Sequence, residues 1–208
     1  MSSTKPTVWV SRIMMDSTLI KPFAADIVET DKDNAIEALR LNQLGFPLPS
    51  DRFPKEQYFT QRSKKAAKQP DIFSAGGFWC VSAAVADVMR QFDLGEGGLY
   101  PTKLFQFDRE TPVEGTYFCL NFGVRQQHFI PDQSPGATVP FKAPPNSWKP
   151  QFVVNDYDIA VRAEALDGPD MWIDPYLWNA VFMSDPLVQA LKAAKLTRRF
   201  NLRKCLIV

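Results

Sequence analysis

The sequence predicts an α+β fold with a mixed or antiparallel sheet and a few packed helices. Two observations support this class. Predicted strands outnumber predicted helices, and the helices lie between strands without the strict alternation of a doubly wound sheet. A chain of 208 residues can bury a substantial core, and 16 Phe and 5 Trp indicate that aromatic side chains dominate its packing.

The first seventy residues carry two predicted elements. Thr7 to Met14 is rich in β-forming residues and is predicted to be the first strand. A helix is predicted over Asn34 to Leu44, with Asp33 as its cap and Ile36 on its apolar face. The polar stretch from Phe46 to Gln69 is the best candidate for an internal boundary, although no linker is visible.

We therefore predict a single domain over residues 1–208. Residues 1–70 form its less distinctive part and residues 71–208 its more distinctive part.

The central part begins at Asp71 and contains a predicted helix between strands. Ser82 is a good N-cap, because a serine hydroxyl accepts a hydrogen bond from a free backbone N–H of the first turn. Leu99 to Phe107 is predicted to be a strand, and Leu104 to Asp108 is predicted to form a hairpin with Thr116 to Phe122.

The C-terminal part repeats this arrangement. Met171 to Ile173 is a predicted strand, Ser184 a predicted N-cap, and Phe200 to Val208 a closing strand. Aligning Ser82 with Ser184 places Val85 on Leu187, Met89 on Leu191 and Leu94 on Leu196. The spacing predicts two copies of a module in which a strand follows a helix.

A proline-rich stretch from Pro131 to Pro150 separates these parts. It is predicted to be an exposed, irregular loop, which is where recognition residues often lie. Gln151 to Val154 and Ile159 to Ala165 are predicted to be strands. Of the tryptophans, Trp79 and Trp172 are predicted to be in the core, whereas Trp148 and Trp178 are candidates for exposure.

Charge and cysteine content limit the functional classes. The formal net charge of +1 gives no overall attraction to nucleic acid or to membranes. Six basic and no acidic residues follow Asp185, which suits either the dipole of the last helix or an acidic partner. Cys80, Cys119 and Cys205 are predicted to be buried, reduced thiols without zinc-ligand spacing. With no signal peptide and no apolar span, the chain is predicted to be cytoplasmic.

The sequence offers little for catalysis. His128 is the only histidine, and no nucleotide-binding or nucleophile motif is present. Asp156 with Asp158, and Asp170 with Asp174, are pairs of carboxylates that lack a third ligand or a histidine. These four residues are predicted to serve in turns and caps.

Two stretches resemble a known bacterial family. One is DIFSAGGFWCVSAAVADVMRQFDLG from Asp71. The other combines WxDP from Trp172, FxSD from Phe182, LxxALxxAxL from Leu187 and a last apolar strand that carries Cys205. Together they resemble the eleventh numbered class of predicted immunity proteins in polymorphic-toxin systems, formerly a domain of unknown function.

The resemblance implies an immunity protein, encoded beside a secreted toxin, that binds and neutralises this cognate toxin. It implies no enzymatic activity, cofactor or metal, and it sets no oligomeric state. The residues that we predict to contact the toxin are Trp148, Asp156, Tyr157, Asp158, Tyr176 and Trp178.

Two alternatives stay open. One is an enzyme of unfamiliar type that uses Asp156, Asp158 or His128. The other is a nucleic-acid-binding module, against which the near-neutral charge argues. It would use Arg198, Arg199, Arg203 and Lys204.

Overall fold

The structure is a computed structural model that describes residues 7–142 and 144–208, so Ala143 of the predicted proline-rich loop lies outside it. The described residues form four α-helices and fifteen strands, which confirms the α+β class. The helices are α1 (Asp26–Thr30), α2 (Lys32–Gln43), α3 (Ala83–Met89) and α4 (Asp185–Ala193). The first eight strands are β1 (Val8–Ser11), β2 (Ile20–Lys21), β3 (Phe23–Ala25), β4 (Glu56–Phe59), β5 (Ile72–Ala75), β6 (Phe78–Ser82), β7 (Gly98–Phe105) and β8 (Tyr117–Asn121). The others are β9 (Ala137–Thr138), β10 (Lys149–Pro150), β11 (Ala160–Val161), β12 (Met171–Trp172), β13 (Val181–Ser184), β14 (Leu202–Lys204) and β15 (Leu206–Ile207).

The larger sheet is mixed and has the strand order β2-β5-β6-β8-β7-β4-β3. Its two edge strands, β2 and β3, follow each other in the chain with only Pro22 between them. The sheet therefore curls until its edges meet. Aromatic side chains fill the interior of this curled sheet: Phe23, Phe53, Phe59, Phe73, Phe78 and Tyr117.

Two thiols and an amide also lie inside the curled sheet. Cys80 and Cys119 face each other on paired strands, with their sulfur atoms 3.8 Å apart. Gln57 Nε2 donates to Thr102 Oγ1 at 3.2 Å and to Cys80 Sγ at 3.4 Å. Burial raises the pKa of Cys119, so its thiol stays protonated. The prediction of buried, reduced cysteines is confirmed, since Cys205 is also buried and free.

The smaller sheet joins the two ends of the chain. It has the order β12-β13-β1-β14 with every pair antiparallel, so the N-terminal strand lies between two C-terminal strands. Alternate residues of β1 point to opposite faces. Trp9 enters one apolar cluster, while Val8 and Val10 enter another with Trp172 and Phe182. Both faces of this sheet are therefore buried.

The predicted duplication is present and extends beyond the helix and its following strand. The strand order β5-β6-β8-β7 matches β12-β13-β1-β14, and β1 supplies the strand that β8 supplies in the first copy. Ser82 caps α3 through the N–H of Val85, and Ser184 caps α4 through the N–H of Leu187. Each serine hydroxyl also donates to an aspartate that precedes its hairpin; these are Asp71 and Asp170.

The two copies share one further contact. The Arg90 guanidinium carbon lies 4.4 Å from the ring centroid of Phe118, and Lys192 Nζ lies 3.6 Å from that of Trp9. Arg90 and Lys192 follow their capping serines by the same number of residues. Helices α3 and α4 pack against each other, and the core between the copies draws on both.

Four details of the sequence prediction are wrong. Helix α2 is capped by Asp31 rather than Asp33, and Ile36 is 52% exposed because the helix docks through Ala35, Ala38 and Asn42. The predicted strand at Gln151 to Val154 is a bend. The predicted final strand is interrupted at Cys205, where β14 ends and β15 begins, and β15 pairs in parallel with β11.

Candidate interaction surface

The predicted proline-rich loop and the eight residues after it form a segment that we call the arm, residues 131–158 without residue 143. Its centre is the short antiparallel pair of β9 and β10. The backbone of Trp148 pairs with the chain around Leu177, where its N–H donates to Tyr176 O at 2.8 Å. The prediction of an irregular loop is therefore correct for most of residues 131–150 but misses this strand pair.

Arg12 holds the arm against the smaller sheet. Its Nη1 donates to the carbonyl oxygens of Gln151 and Phe152, both at 2.7 Å. Burial, and then the nearby charge of Arg203, lower the pKa of the Arg12 guanidinium. Arg203 adds a bond of its own from Nε to Val154 O at 2.8 Å. Two arginines of the body therefore bind the backbone of the arm.

The arm exposes apolar side chains that the sequence analysis did not select. Phe141 is 91% exposed and Phe152 is 89% exposed, and Val139 and Val153 are also largely exposed. The signal that could have identified them is their position among many prolines. A proline-rich segment forms few helices or strands, so its apolar side chains are often not packed into a core. Large exposed aromatic side chains are typical of contact sites for other macromolecules.

Three of the predicted contact residues lie close together, and we call them the aromatic cluster. The rings of Trp148 and Tyr176 are 6.4 Å apart, and Trp178 N–H donates to Trp148 O at 2.8 Å. Trp148 also packs edge-on against buried Phe129, with 5.9 Å between centroids. All three predicted residues are half-buried, so each combines a packing role with some accessible surface.

The other three predicted residues occupy a turn at the end of the arm. Asp156 is exposed and its Oδ1 accepts the Lys204 N–H at 3.0 Å, while Asp158 Oδ2 accepts the Asn155 N–H at 2.7 Å. Tyr157 has a positive φ of 71°, and its N–H donates to Lys204 O at 2.7 Å. Asp158 thus performs the predicted turn chemistry, whereas Asp156 instead accepts a long-range bond from β14. The Tyr157 side chain is 54% exposed.

A pocket of about 360 Å³ lies beside the aromatic cluster, between α2 and the loop after β12. Trp178, Arg40 and Asn179 contribute to its wall. Asp174 is also part of this wall, but its carboxylate is occupied. The Asp174 carboxylate accepts hydrogen bonds from the backbone N–H groups of His128 and Phe129, each at 2.8 Å, and of Tyr176 at 2.9 Å.

The groups considered for catalysis are engaged in structural contacts. The His128 ring lies 3.2 Å from Gln126 Oε1 and packs edge-on against Trp172, neither of which is a nucleophile. Asp170 accepts the hydroxyl of Ser184 and the N–H of Asp93. Burial raises the pKa of Cys205, which leaves this thiol unreactive.

In residues 7–142 and 144–208, no group of three or more His, Cys, Asp or Glu side chains is arranged to hold a metal ion. Over the same residues, each helix is too short or too polar to cross a bilayer.

The family whose profile matches this chain is one of immunity proteins, a class named for protection against a toxin. The profile of the Immunity protein family (Imm11) matches residues 24–204, which is most of the chain. The chain belongs to this family, and the resemblance found in the sequence is confirmed. Membership favours a non-enzymatic role. A comparison with curated proteins finds no match.

Proposed function

We propose that this protein binds one cognate toxin in the cytoplasm and neutralises it by stoichiometric contact. The observation that carries the proposal is the family match over residues 24–204. No chemical step is required, because a bound protein can cover an active site or a surface that the toxin needs.

The exposed apolar side chains of the arm support a contact role. Burying a Phe or Val side chain contributes about 1.5–3 kcal/mol, and interface energy concentrates in a few aromatic anchors. Phe141 and Phe152 are the most exposed large apolar side chains of the described chain. The half-buried Trp148, Tyr176 and Trp178 lie where the arm joins the body and would extend the contact.

The attachment of the arm favours tight binding. Arg12 and Arg203 bind its backbone, so less conformational entropy is lost when a partner binds. The arm therefore presents Phe152 in a defined position.

The proposal is tested by expressing the chain together with the toxin encoded beside it. We expect wild type to restore growth and to co-purify with the toxin in a fixed ratio. The double variant Phe141→Ser with Phe152→Ser should bind at least about tenfold more weakly, because it removes two apolar anchors. Titration calorimetry measures the affinity.

A matched control is Ile20→Ser with Phe107→Ser, since these side chains are 66% and 45% exposed but lie outside the arm. It should bind like wild type. His128→Ala should also protect, whereas loss of protection in this variant with intact folding would favour the enzyme alternative. Failure of wild type to protect or to co-purify would contradict the proposed function.

A further inference from the structure

We propose that the cluster of C-terminal cations beside the arm is a docking surface for a carboxylate-rich patch on the toxin. This inference rests on the proposed function and adds the chemistry of the partner. We call the cluster the basic face and define it by the six basic residues that follow Asp185. They are Lys192, Lys195, Arg198, Arg199, Arg203 and Lys204.

The fold brings four of these cations together around Trp9. Lys192 Nζ lies 3.6 Å and Lys204 Nζ 5.7 Å from the centroid of the Trp9 ring. Lys192, Arg198 and Arg203 line a shallow depression of about 390 Å³ next to this ring. Lys195 and Arg199 lie in the same connection between α4 and β14 and are exposed.

The cations of the basic face lack partners of opposite charge. Within the described part of the chain, the ion pairs closer than 4 Å involve other residues, and none of the six takes part. Two carboxylates lie nearby, but both accept structural bonds. Asp156 accepts the Lys204 N–H, and Asp185 accepts Trp9 Nε1 at 2.7 Å. Two carboxylates do not balance six cations, so the face keeps an excess of positive charge.

Helix-dipole complementarity accounts for only part of this cluster. Lys192 is in the last turn of α4 and stabilises the negative end of the helix dipole. The effect falls off beyond the terminal turn, yet Arg203 and Lys204 are on β14. A cluster drawn from a helix, a loop and a strand matches the alternative that the sequence left open, an acidic partner.

The surroundings favour a protein over a nucleic acid. The chain has 24 Lys and Arg, so 18 remain outside the basic face against 23 Asp and Glu, a balance that would repel a polyanion extending past the face. Trp9 is only 6% exposed and is covered by Lys192, so it offers no platform for base stacking. The neighbouring arm segment instead adds Phe152, Val153 and Tyr157, which are the apolar contacts that a protein interface uses.

The basic face should act mainly on the rate of association with the toxin. Exposed charges at the rim of an interface steer encounter and make the association rate depend on salt, because ions screen them. The apolar arm would then supply the buried contact. The basic face and the arm thus have separable contributions to binding.

The experiment compares two adjacent charge reversals. Arg198→Glu with Arg199→Glu alters two exposed cations whose side chains have no hydrogen bond in the described structure. The control, Lys64→Glu with Lys65→Glu, changes net charge equally in the exposed loop between β4 and β5. Association and dissociation rates with the co-expressed toxin are measured by surface plasmon resonance from low to high NaCl. Poly-L-glutamate and a 20-base-pair DNA duplex serve as polyanion probes.

We expect the Arg198/Arg199 variant to associate about tenfold or more slowly at low salt, with a flatter salt dependence, while the control behaves like wild type. Equal association rates for the two variants would overturn the proposal that the basic face docks the toxin and would leave the proposed function intact. Binding to the duplex through the face that is stronger than to toxin and to poly-L-glutamate would overturn it in favour of nucleic acid. If wild type does not bind the toxin, the proposed function fails. The face is then supported as an acidic-protein site only if poly-L-glutamate binds and the reversal abolishes that binding.

Discussion

Asp174 links two distant loops around the aromatic cluster. Its carboxylate binds the backbone N–H groups of His128 and Phe129, which precede it by 46 and 45 residues, and that of Tyr176. Burial raises the pKa of Asp174, and the three N–H donors oppose that rise. The sequence placed Asp174 in a turn, which the Tyr176 bond bears out, but it contained no sign of His128 as a partner. Long-range bonds of this kind depend on which loops the sheets bring together.

We predict that Asp174→Asn lowers the free energy of unfolding by about 1–3 kcal/mol at pH 7, because the amide NH₂ must face backbone N–H donors. The folded-state pKa of Asp174 lies above the ordinary 3.8. The contribution of the wild-type carboxyl to the free energy of unfolding is therefore largest below pH 3.8, and it is lost as pH rises through the raised pKa. The gap between wild type and variant should therefore widen on acidification. Urea unfolding at pH 3 to 7 measures it, and a pH-independent gap would contradict the prediction.

At the scale of elements, the duplicated module shows how a local pattern becomes architecture. Each copy uses a serine that caps its helix and contacts an aspartate in front of the hairpin. The capping signal is local, because the hydroxyl bonds to a residue three positions away. For this reason Ser82 and Ser184 were identified correctly from the sequence. The pairing of β1 with β13 was not identified. These strands lie near opposite ends of the chain, and a local pattern does not show which strands pair.

We predict that Ser82→Ala and Ser184→Ala each lower the free energy of unfolding by about 1 kcal/mol, the usual cost of removing an N-cap. Because the two caps occupy equivalent positions, their effects should be similar. Guanidinium unfolding followed by circular dichroism gives the values. Ser50→Ala is a suitable control, because Ser50 is exposed and its side chain makes no hydrogen bond in the described structure. An effect of either capping variant no larger than that of the control would count against the equivalence.

At the scale of the whole molecule, the N-terminal strand completes the C-terminal sheet. The family match begins at residue 24, yet β1 lies between β13 and β14 and buries Val8, Trp9 and Val10. Strand β4 lies within the stretch considered as a boundary, and it pairs with β3 and β7. We propose on these grounds that the chain folds as one domain.

We predict that deleting residues 1–11 abolishes the cooperative unfolding transition. The deletion leaves β13 and β14 without their common neighbour and removes several buried side chains, each contributing about 1.5–3 kcal/mol, from a total stability of about 5–15 kcal/mol. Thermal unfolding by circular dichroism tests this. A point variant gives a second test: Val10→Asp should unfold the chain, whereas Ile20→Asp, at a residue 66% exposed, should not. A truncated chain that melts like wild type would refute the single-domain proposal.

The sequence by itself determined the fold class, the caps of α3 and α4, the repeat and the buried thiols, because short-range spacing and composition encode these features. The family followed from the resemblance of two stretches. The prolines also indicated an irregular loop over residues 131–150, which is most of the arm. Only the tertiary structure decided that β1 supplies, in the second copy, the strand that β8 supplies in the first. It alone showed that Arg12 anchors the arm, that Phe141 and Phe152 stay exposed, and that cations from three elements meet around Trp9. These outcomes depend on pairings between residues far apart in the chain, and local patterns do not record such partners.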